Sequence, residues 1–545
     1  MPTIECSKKD LEELAGKKFS KEELEETILC VKGELDSVEE DALKIDIKET
    51  NRPDLWSAEG IAREIKAFIG KEKGIPEYKV LKGKRKAFID EKLKGIRPKA
   101  AYAEVRGIKI TEEVLLQIIQ LQEKICQSFG KKREQVAIGV FDLDKVKGNV
   151  KYFSAEPSME FIPLGFSENM SLREILIKHP KGKEYGKLIE KFEKFPLLVD
   201  EKNEVLSMPP IINSEGSGKV TAETKNLFVD VTGFNQELID TALKIMCMAL
   251  ADRGGKIYSV ELNYKNKKIV SPEFRKEKIV FPLKEVNELL GTEFKGKEIL
   301  KLLEKKRMQG KIKGKNLEVL YGDYRKDIIH AWDVIEDIVI AFGYKKLEPE
   351  EMNVFTLGSL QEKSRETNEV RELCIGFSLQ EIASNHLTSK EIQGEKMNLK
   401  EEFVEIANPV SLNWEIFRKK LLPESLSFLS KNKHCSYPQK IFEVGRTVEF
   451  NSEKETGVEE KWKACICIAH AKTNFNEVKS ILEAIARELN LKFKLKEEKI
   501  NFLSTGKSAL IQFQNGKKGF LGEVSQKVLE NFGLETKVSV IEIEI

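Results

Sequence analysis

Histidine is scarce in this chain, with five in 545 residues. The eight cysteines (Cys6, Cys30, Cys126, Cys247, Cys374, Cys435, Cys465, Cys467) are scattered, with no C-x-x-C pair and no Cys/His cluster at zinc-ligand spacing. That argues against a zinc module or a dithiol redox centre and leaves buried, reduced thiols as the expectation. Cys465 and Cys467 in "KACICIAH" share one face of a strand, where core packing is expected rather than a ligand pair. No stretch approaches the roughly 20 apolar residues that span a bilayer, and "MPTIECSKKDLEEL" has no signal-peptide apolar region, so a cytoplasmic location is expected. Net charge is also lacking: 92 basic against 90 acidic residues leave +2, so bulk charge does not announce a nucleic-acid binder. A G-x-x-x-x-G-K-[ST] phosphate loop is missing too, since "GSGKV" at 216–220 lacks the first glycine and the hydroxyl.

What is present is enough apolar residue, 41%, for several cores, because single cores stop growing near roughly 250–300 residues. The pattern predicts a multidomain α+β protein. Residues 1–95 read as an α+β domain with a basic linker. Its "NRPDLWSAEGIAREIKAFIG" places Pro53 in a first helical turn, apolar residues at helical spacing, and Gly70 as a C-terminal cap. The basic stretch Lys71 to Lys99 reads as a loop-rich boundary, with a solvated face and an RNA contact both open. Residues 96–268 alternate strand and helix patterns as one mixed α+β domain, 269–347 form a helix-rich module, and 348–545 predict a largely antiparallel sheet covered by helices.

Within "RKDIIHAWDVIEDIVIAFGY" stand Asp327, Asp333, Glu336 and Asp337. At 100° per residue, Asp333, Glu336 and Asp337 share a face opposite Ile335, Ile338, Val339 and Phe342, which predicts carboxylates held off the core. No Lys or Arg lies between Asp327 and Tyr344 to neutralise them. Oxygen ligands of this kind suit Mg²⁺, and a solvated acidic face is the other reading. His330 is expected to pack or cap.

Several segments in order resemble the phenylalanyl-tRNA synthetase β subunit of archaea and eukaryotes: "NRPDLWSAEGIAREI", "VAIGVFDLDKVKG", "LFVDVTG", "YRKDIIHAWDVIEDIVIAFGY", "LTSKE", "ANPVSLNWEIFRKKLLPESL" and "IFEVGRTVEF". The resemblance covers essentially the whole chain. It implies a heterotetramer of two α and two β subunits acting on tRNA(Phe), with amino acid, ATP and ribose 3′-end handled by α. It also implies a Mg²⁺ ion shared with α at Asp327, Asp333, Glu336 and Asp337. Residues 269–347 would be winged-helix-like, and 348–545 a noncatalytic class II synthetase-like sheet. Because the chain ends after "KVSVIEIEI", the C-terminal anticodon-binding domain of bacterial relatives is expected to be absent, as is their N-terminal oligonucleotide-binding insertion.

The same resemblance implies editing. A phenylalanine pocket rejects an added hydroxyl by only about 10², so a second, hydrolytic site must clear tyrosine from the tRNA. The family places that site in 96–268. Candidates are Asn213, Ser214, Glu215, Thr221 and Thr224 in a turn-rich segment, and Asp230 and Thr232, which alternate on one strand face. Together they could bind a phenol, orient water and steady an oxyanion, though each type also serves turns and caps. Phe141 stands where the family usually has histidine, and Asp142 and Asp144 are expected to serve loop structure. A structural RNA-binding subunit with decayed editing is the competing reading. A free-standing hydrolase using the acidic cluster is disfavoured for want of a nucleophile or pocket.

Overall fold

The computed structural model describes residues 2–352 and 354–545. The chain is a mixed α+β, multidomain protein that divides into two compact units, residues 1–351 and 352–545.

The first unit opens with a three-stranded antiparallel sheet in which Ala42–Ile47 lies between Thr3–Ser7 and Gly33–Glu39. The helix read in "NRPDLWSAEG" begins later than the sequence suggested. Pro53 opens a separate 3-10 turn, Pro53–Leu55, and the helix proper runs Ala58–Phe68 behind a Ser57 cap whose side chain accepts from Gly60 N. Gly70 follows at φ +79°, a conformation that spares no Cβ.

Most strands of residues 80–271 belong to one sheet, ordered Ile212–Asn213, Val205–Met208, Phe195–Asp200, Val150–Ala155, Lys86–Ile89, Lys256–Tyr264, Lys99–Arg106, Asn226–Gly233, Val136–Asp142. The basic boundary was therefore misread. Lys86–Ile89 is an interior strand, parallel to both neighbours, because its inward residues Ala87 and Ile89 are apolar and only alternate positions are charged. On one side of the Asn226–Gly233 region pack helices Glu112–Lys124 and Gln236–Asp252, the second apolar on nearly every face and correspondingly buried all round. The opposite side carries an aromatic core of Tyr102, Phe141, Tyr152 and Phe228.

The module read as helix-rich is half sheet. Strands Lys276–Pro282, Asn316–Gly322 and Gln309–Lys313 form an antiparallel sheet against helices Lys284–Leu290, Gly296–Lys305 and Ala331–Phe342. Lysine-rich strands with few apolar residues hid two of the three from the pattern.

The second unit is built on a seven-stranded sheet, antiparallel except for the edge pair of Gln380–Glu381 with Gln439–Phe450. Each face carries its own core. On Val458–Ala469, Cys465 and Cys467 join one, with their sulfurs 3.9 Å apart and unbridged, while Ala464, Ile466 and Ile468 join the other. Cys435 departs from the expectation of buried thiols and is exposed. Among the described residues no helix is long and apolar enough to cross a membrane.

Candidate functional site

Strand Asn226–Gly233 places Phe228, Asp230 and Thr232 on one face, opposite Phe141, Gly139 and Ala137 of the neighbouring strand and Glu104, Tyr102 and Ala100 of the other. Asp230 and Thr232 form the floor of a cavity of about 270 Å³. The cavity wraps the edge strand Val136–Asp142, so its lining takes in Ile138 and Val140 with Leu115, Ile118 and Ile119 of the helix Glu112–Lys124 from the other face, and the segment running Ser207 to Asn213. The volume falls below the roughly 300–1,000 Å³ of drug-sized sites, and suits a single amino-acid side chain.

The floor is chemically unusual. Asp230 is 2% exposed, its Oδ1 has no hydrogen-bond partner, and Ser207 Oγ beside it has none either. Such unpaired buried atoms are costly unless a ligand or water completes them. Burial pushes the Asp230 carboxyl up to about 7, against the opposing pull of Arg97. Arg97 cannot neutralise it by contact, because its guanidinium is committed elsewhere. Nε donates to Thr232 Oγ1 at 2.9 Å, Nη2 to the Thr232 carbonyl at 2.6 Å and Nη1 to the Glu134 carbonyl at 3.0 Å. The far wall is pinned by Arg133, which donates to the carbonyls of Pro210 and Ile211 and to Glu123 Oε1.

Of the seven residues expected at a hydrolytic site, Asn213, Asp230 and Thr232 line this cavity. The other four do not. Ser214 caps the short helix Glu215–Gly218 and bonds Ser217, Glu215 accepts from Gly165 N and pairs with Lys219, and Thr221 and Thr224 close a turn in which Thr224 reaches Asp142 Oδ2 at 3.4 Å. These are the turn and cap roles that such residue types also serve. Asp142 and Asp144 hold loop structure, through Asp144 N and the Asn226 side chain. Sequence reasoning missed Ser207, Gly139 and the helix wall. One signal was available: "VLLQIIQL" carries more apolar residues than one buried face uses, and Leu116 and Ile119 remain exposed.

The acidic cluster near 330 corrects the sequence reading. Of the three carboxylates expected off the core, Glu336 is exposed and Asp333 half-buried, but Asp337 is buried, as is Asp327. Arg325 forks onto Asp327 at 2.8 and 2.6 Å and onto Asp337 Oδ2 at 2.6 Å. Lys32 approaches Glu336 at 2.7 Å and Asp337 at 3.6 Å, and Lys306 stands 3.8 Å from both Asp337 and Glu64. Asp333 turns back to its own helix start, accepting from Ile329 N at 2.8 Å and His330 N at 2.6 Å, while the His330 ring caps Trp332 N. The buried carboxylates Asp54, Glu64, Asp327 and Asp337 are matched one for one by Arg52, Arg325, Lys306 and Lys32. Burial alone would raise the Asp337 carboxyl, but Arg325, Lys306 and Lys32 outweigh it and hold it far below the usual range. Among the described residues no group of three or more His, Cys, Asp or Glu side chains is arranged to hold a metal ion. As they stand, the four carboxylates expected to hold Mg²⁺ do not converge on one ion: Asp327 and Asp337 are committed to Arg325, Asp333 to the backbone N–H groups of its own helix start, and Glu336 to Lys32. The cations come from Arg325, two residues before Asp327, from Lys306 in the preceding helical region, and from Lys32 and Arg52 hundreds of positions away.

The first unit is thus an α+β body with a pocket lined by a buried, unpaired acid. Comparison with known proteins is more specific. Four family models match in series: the Phe-tRNA synthetase beta subunit B1 domain over residues 1–71, the B3/4 domain over 98–249, the tRNA synthetase B5 domain over 279–344, and the phenylalanyl tRNA synthetase beta chain CLM domain over 352–545. The phenylalanine–tRNA ligase beta subunit of Pyrococcus horikoshii is 44% identical over 548 residues, covering 100% of this chain and 99% of that one. The Archaeoglobus fulgidus protein of the same name is 36% identical, covering 100% and 98%. The crystal structure of an N-terminal fragment of the Pyrococcus horikoshii phenylalanyl-tRNA synthetase β subunit is similar at 49% identity and TM-score 0.62, covering 63% of this chain and all of that fragment. The chain belongs to the phenylalanyl-tRNA synthetase β-subunit family.

Proposed function

We propose that this chain supports attachment of phenylalanine to tRNA(Phe) by an α subunit, in an assembly of two α and two β chains, and clears tyrosine wrongly attached to that tRNA. The observation that carries the second activity is the unpaired Asp230 carboxylate at the floor of an amino-acid-sized pocket. Apolar walls accept an aromatic ring, while the unpaired Ser207 hydroxyl offers the polar partner that a phenol needs and phenylalanine's bare ring cannot use, which leaves Asp230 for the water. This is the discrimination a first, apolar site lacks.

Hydrolysis needs a water to attack the ester carbonyl. A carboxylate near pH 7 is poised to take the water's proton as the new C–O bond forms. The bond from acyl carbon to ribose oxygen then breaks, the ribose oxygen recovers a proton, and free tyrosine and uncharged tRNA leave. The Arg97–Thr232 clamp keeps the floor rigid, and no step is routed through a metal. ATP is a substrate of the complex and is handled by α. The antiparallel sheet of 352–545 serves as a noncatalytic, class II-like assembly surface, a reading supported by the exposed apolar side chains of Val410, Leu412 and Trp414.

The test is hydrolysis of purified Tyr-tRNA(Phe) by the α–β complex with wild-type or Asp230→Ala β. The expected loss is about 10²–10⁴-fold with aminoacylation retained. A wild type that does not hydrolyse the ester would leave the chain as a structural RNA-binding subunit.

A further inference from the structure

The run from Lys82 to Phe88 alternates with period two. Its inward residues are locked: a Cβ on Gly83 would come within 1.9 Å of the Ser259 carbonyl oxygen, Arg85 Nε donates to Glu104 at 2.7 Å, and Ala87 is fully buried. Lys82, Lys84, Lys86 and Phe88 turn outward and are exposed, Phe88 by 48%. The sheet extends this face sideways. Phe88 is in register with Lys151 on one neighbouring strand and Asn263 on the other, and Lys151 Nζ lies 4.8 Å from the Phe153 ring centroid. On the next strand the exposed Val270, in register with Glu261, joins the face. Lys82 and Val270 also rim a depression of about 410 Å³ with Val80, Pro272 and Phe274.

Lysines on a sheet often guard an unpaired edge, but that explanation fails here, because Lys86–Ile89 and Val150–Ala155 are interior strands. Nor do these cations serve ion pairs. Among the described residues no carboxylate oxygen lies within 4.0 Å of the Lys82, Lys84, Lys86 or Lys151 ammonium, whereas Lys268 on the same face pairs with Glu261 at 3.7 Å. The cores of protein interfaces are depleted in lysine, so the composition fits a polyanion better than another polypeptide. An open sheet with aromatic rings set among unpaired lysines matches what an unstacked nucleic-acid strand requires, rings for bases and ammonium groups for phosphates.

We propose that this face binds an unpaired stretch of the tRNA, with Phe88 stacking on a base and Lys84, Lys86 and Lys151 contacting phosphates. The proposal rests on the reading of the chain as a tRNA-handling subunit and is independent of the hydrolytic pocket.

The test is binding of fluorescently labelled tRNA(Phe) to the α–β complex across a salt series. The Lys84→Gln/Lys86→Gln/Lys151→Gln variant should bind more weakly, and its slope of log affinity against log salt should be shallower by about 2, at about 0.7 per phosphate contact on a single strand. Phe88→Ala should weaken binding roughly tenfold with an unchanged slope. Wild-type affinity and slope in the triple variant would overturn the proposal. So would loss of co-elution with α on size exclusion, which would assign the face to protein contact. If the wild type binds as expected but hydrolyses no Tyr-tRNA, the pocket reading fails and the binding face stands.

Discussion

Gly139 lies directly opposite Asp230 across adjacent strands, and a Cβ added to it would come within 2.9 Å of the Asp230 Oδ2 atom and 2.8 Å of the Phe141 ring. The carboxylate and the aromatic edge converge on space that only glycine leaves open. Gly139→Ala is therefore expected to displace Asp230. Since a misplacement near 1 Å can cost about 10²-fold, Tyr-tRNA hydrolysis should fall by that order while aminoacylation with phenylalanine persists. Unchanged single-turnover hydrolysis in the variant would show that the carboxylate's position is not critical.

Asp230 makes stability depend on pH in a definite direction. Its ordinary value of 3.8 is raised to about 7 in the fold. Between those values the folded chain keeps a proton that the unfolded chain has released, so this group's contribution falls as pH rises from about 4 to about 7 and is constant above. Asp230→Asn removes the titration. Thermal unfolding midpoints of wild type and variant should diverge with rising pH, the variant gaining relative stability up to about pH 7. Parallel curves across that range would refute the raised value.

Phe141 is fully buried and tilted against Phe228 with ring centroids 5.9 Å apart. Phe141→His would put an imidazole where the ring edge now meets Asp230's neighbourhood. A protonated imidazole there favours the ionised carboxylate. The midpoint of the pH–rate profile for Tyr-tRNA hydrolysis should move below about 7, at a cost in stability from burying a polar ring. A profile unmoved by the substitution would separate residue 141 from the chemistry.

The acidic cluster is predicted to behave as an ion-pair core. Removing one partner of a buried pair costs about 3–5 kcal/mol, so Arg325→Ala and Asp337→Ala should each lower unfolding stability by that order. Glu336→Gln, at a pair whose carboxylate is 47% exposed, should cost under about 1 kcal/mol. Because Asp337 is held below its ordinary range, its contribution persists above pH 4 and is lost only on stronger acidification. Chelating divalent cations should leave the denaturation midpoint of the β chain unchanged. A midpoint that drops on chelation and recovers with Mg²⁺ would restore the metal reading.

Periodicity alone made much of the architecture legible. Alternation on Asn226–Gly233 put Asp230 and Thr232 on a shared face, and helical spacing marked Ala58–Phe68 and Ala331–Phe342, because side-chain direction follows directly from local backbone repeat. His330 was legible as a capping residue for the same local reason. The basic run at 82–86 was readable as charge, but not as the approach to the interior strand Lys86–Ile89, whose partners lie 63 and 175 positions away.

By itself the sequence determined the family, the alternation of strands and helices, and the strand face that bears the candidate acid, all of which depend on order along the chain. Tertiary structure alone decided what those residues do. It closed a cavity over Asp230 by bringing the segment around Ser207 to the strand that bears it, and so raised the acid's pKa by desolvation. It also brought Lys32, Arg52 and Lys306 to carboxylates that looked unneutralised in their own segment. Electrostatic fate is set by distance through space and by dielectric surroundings, and neither is written in local sequence.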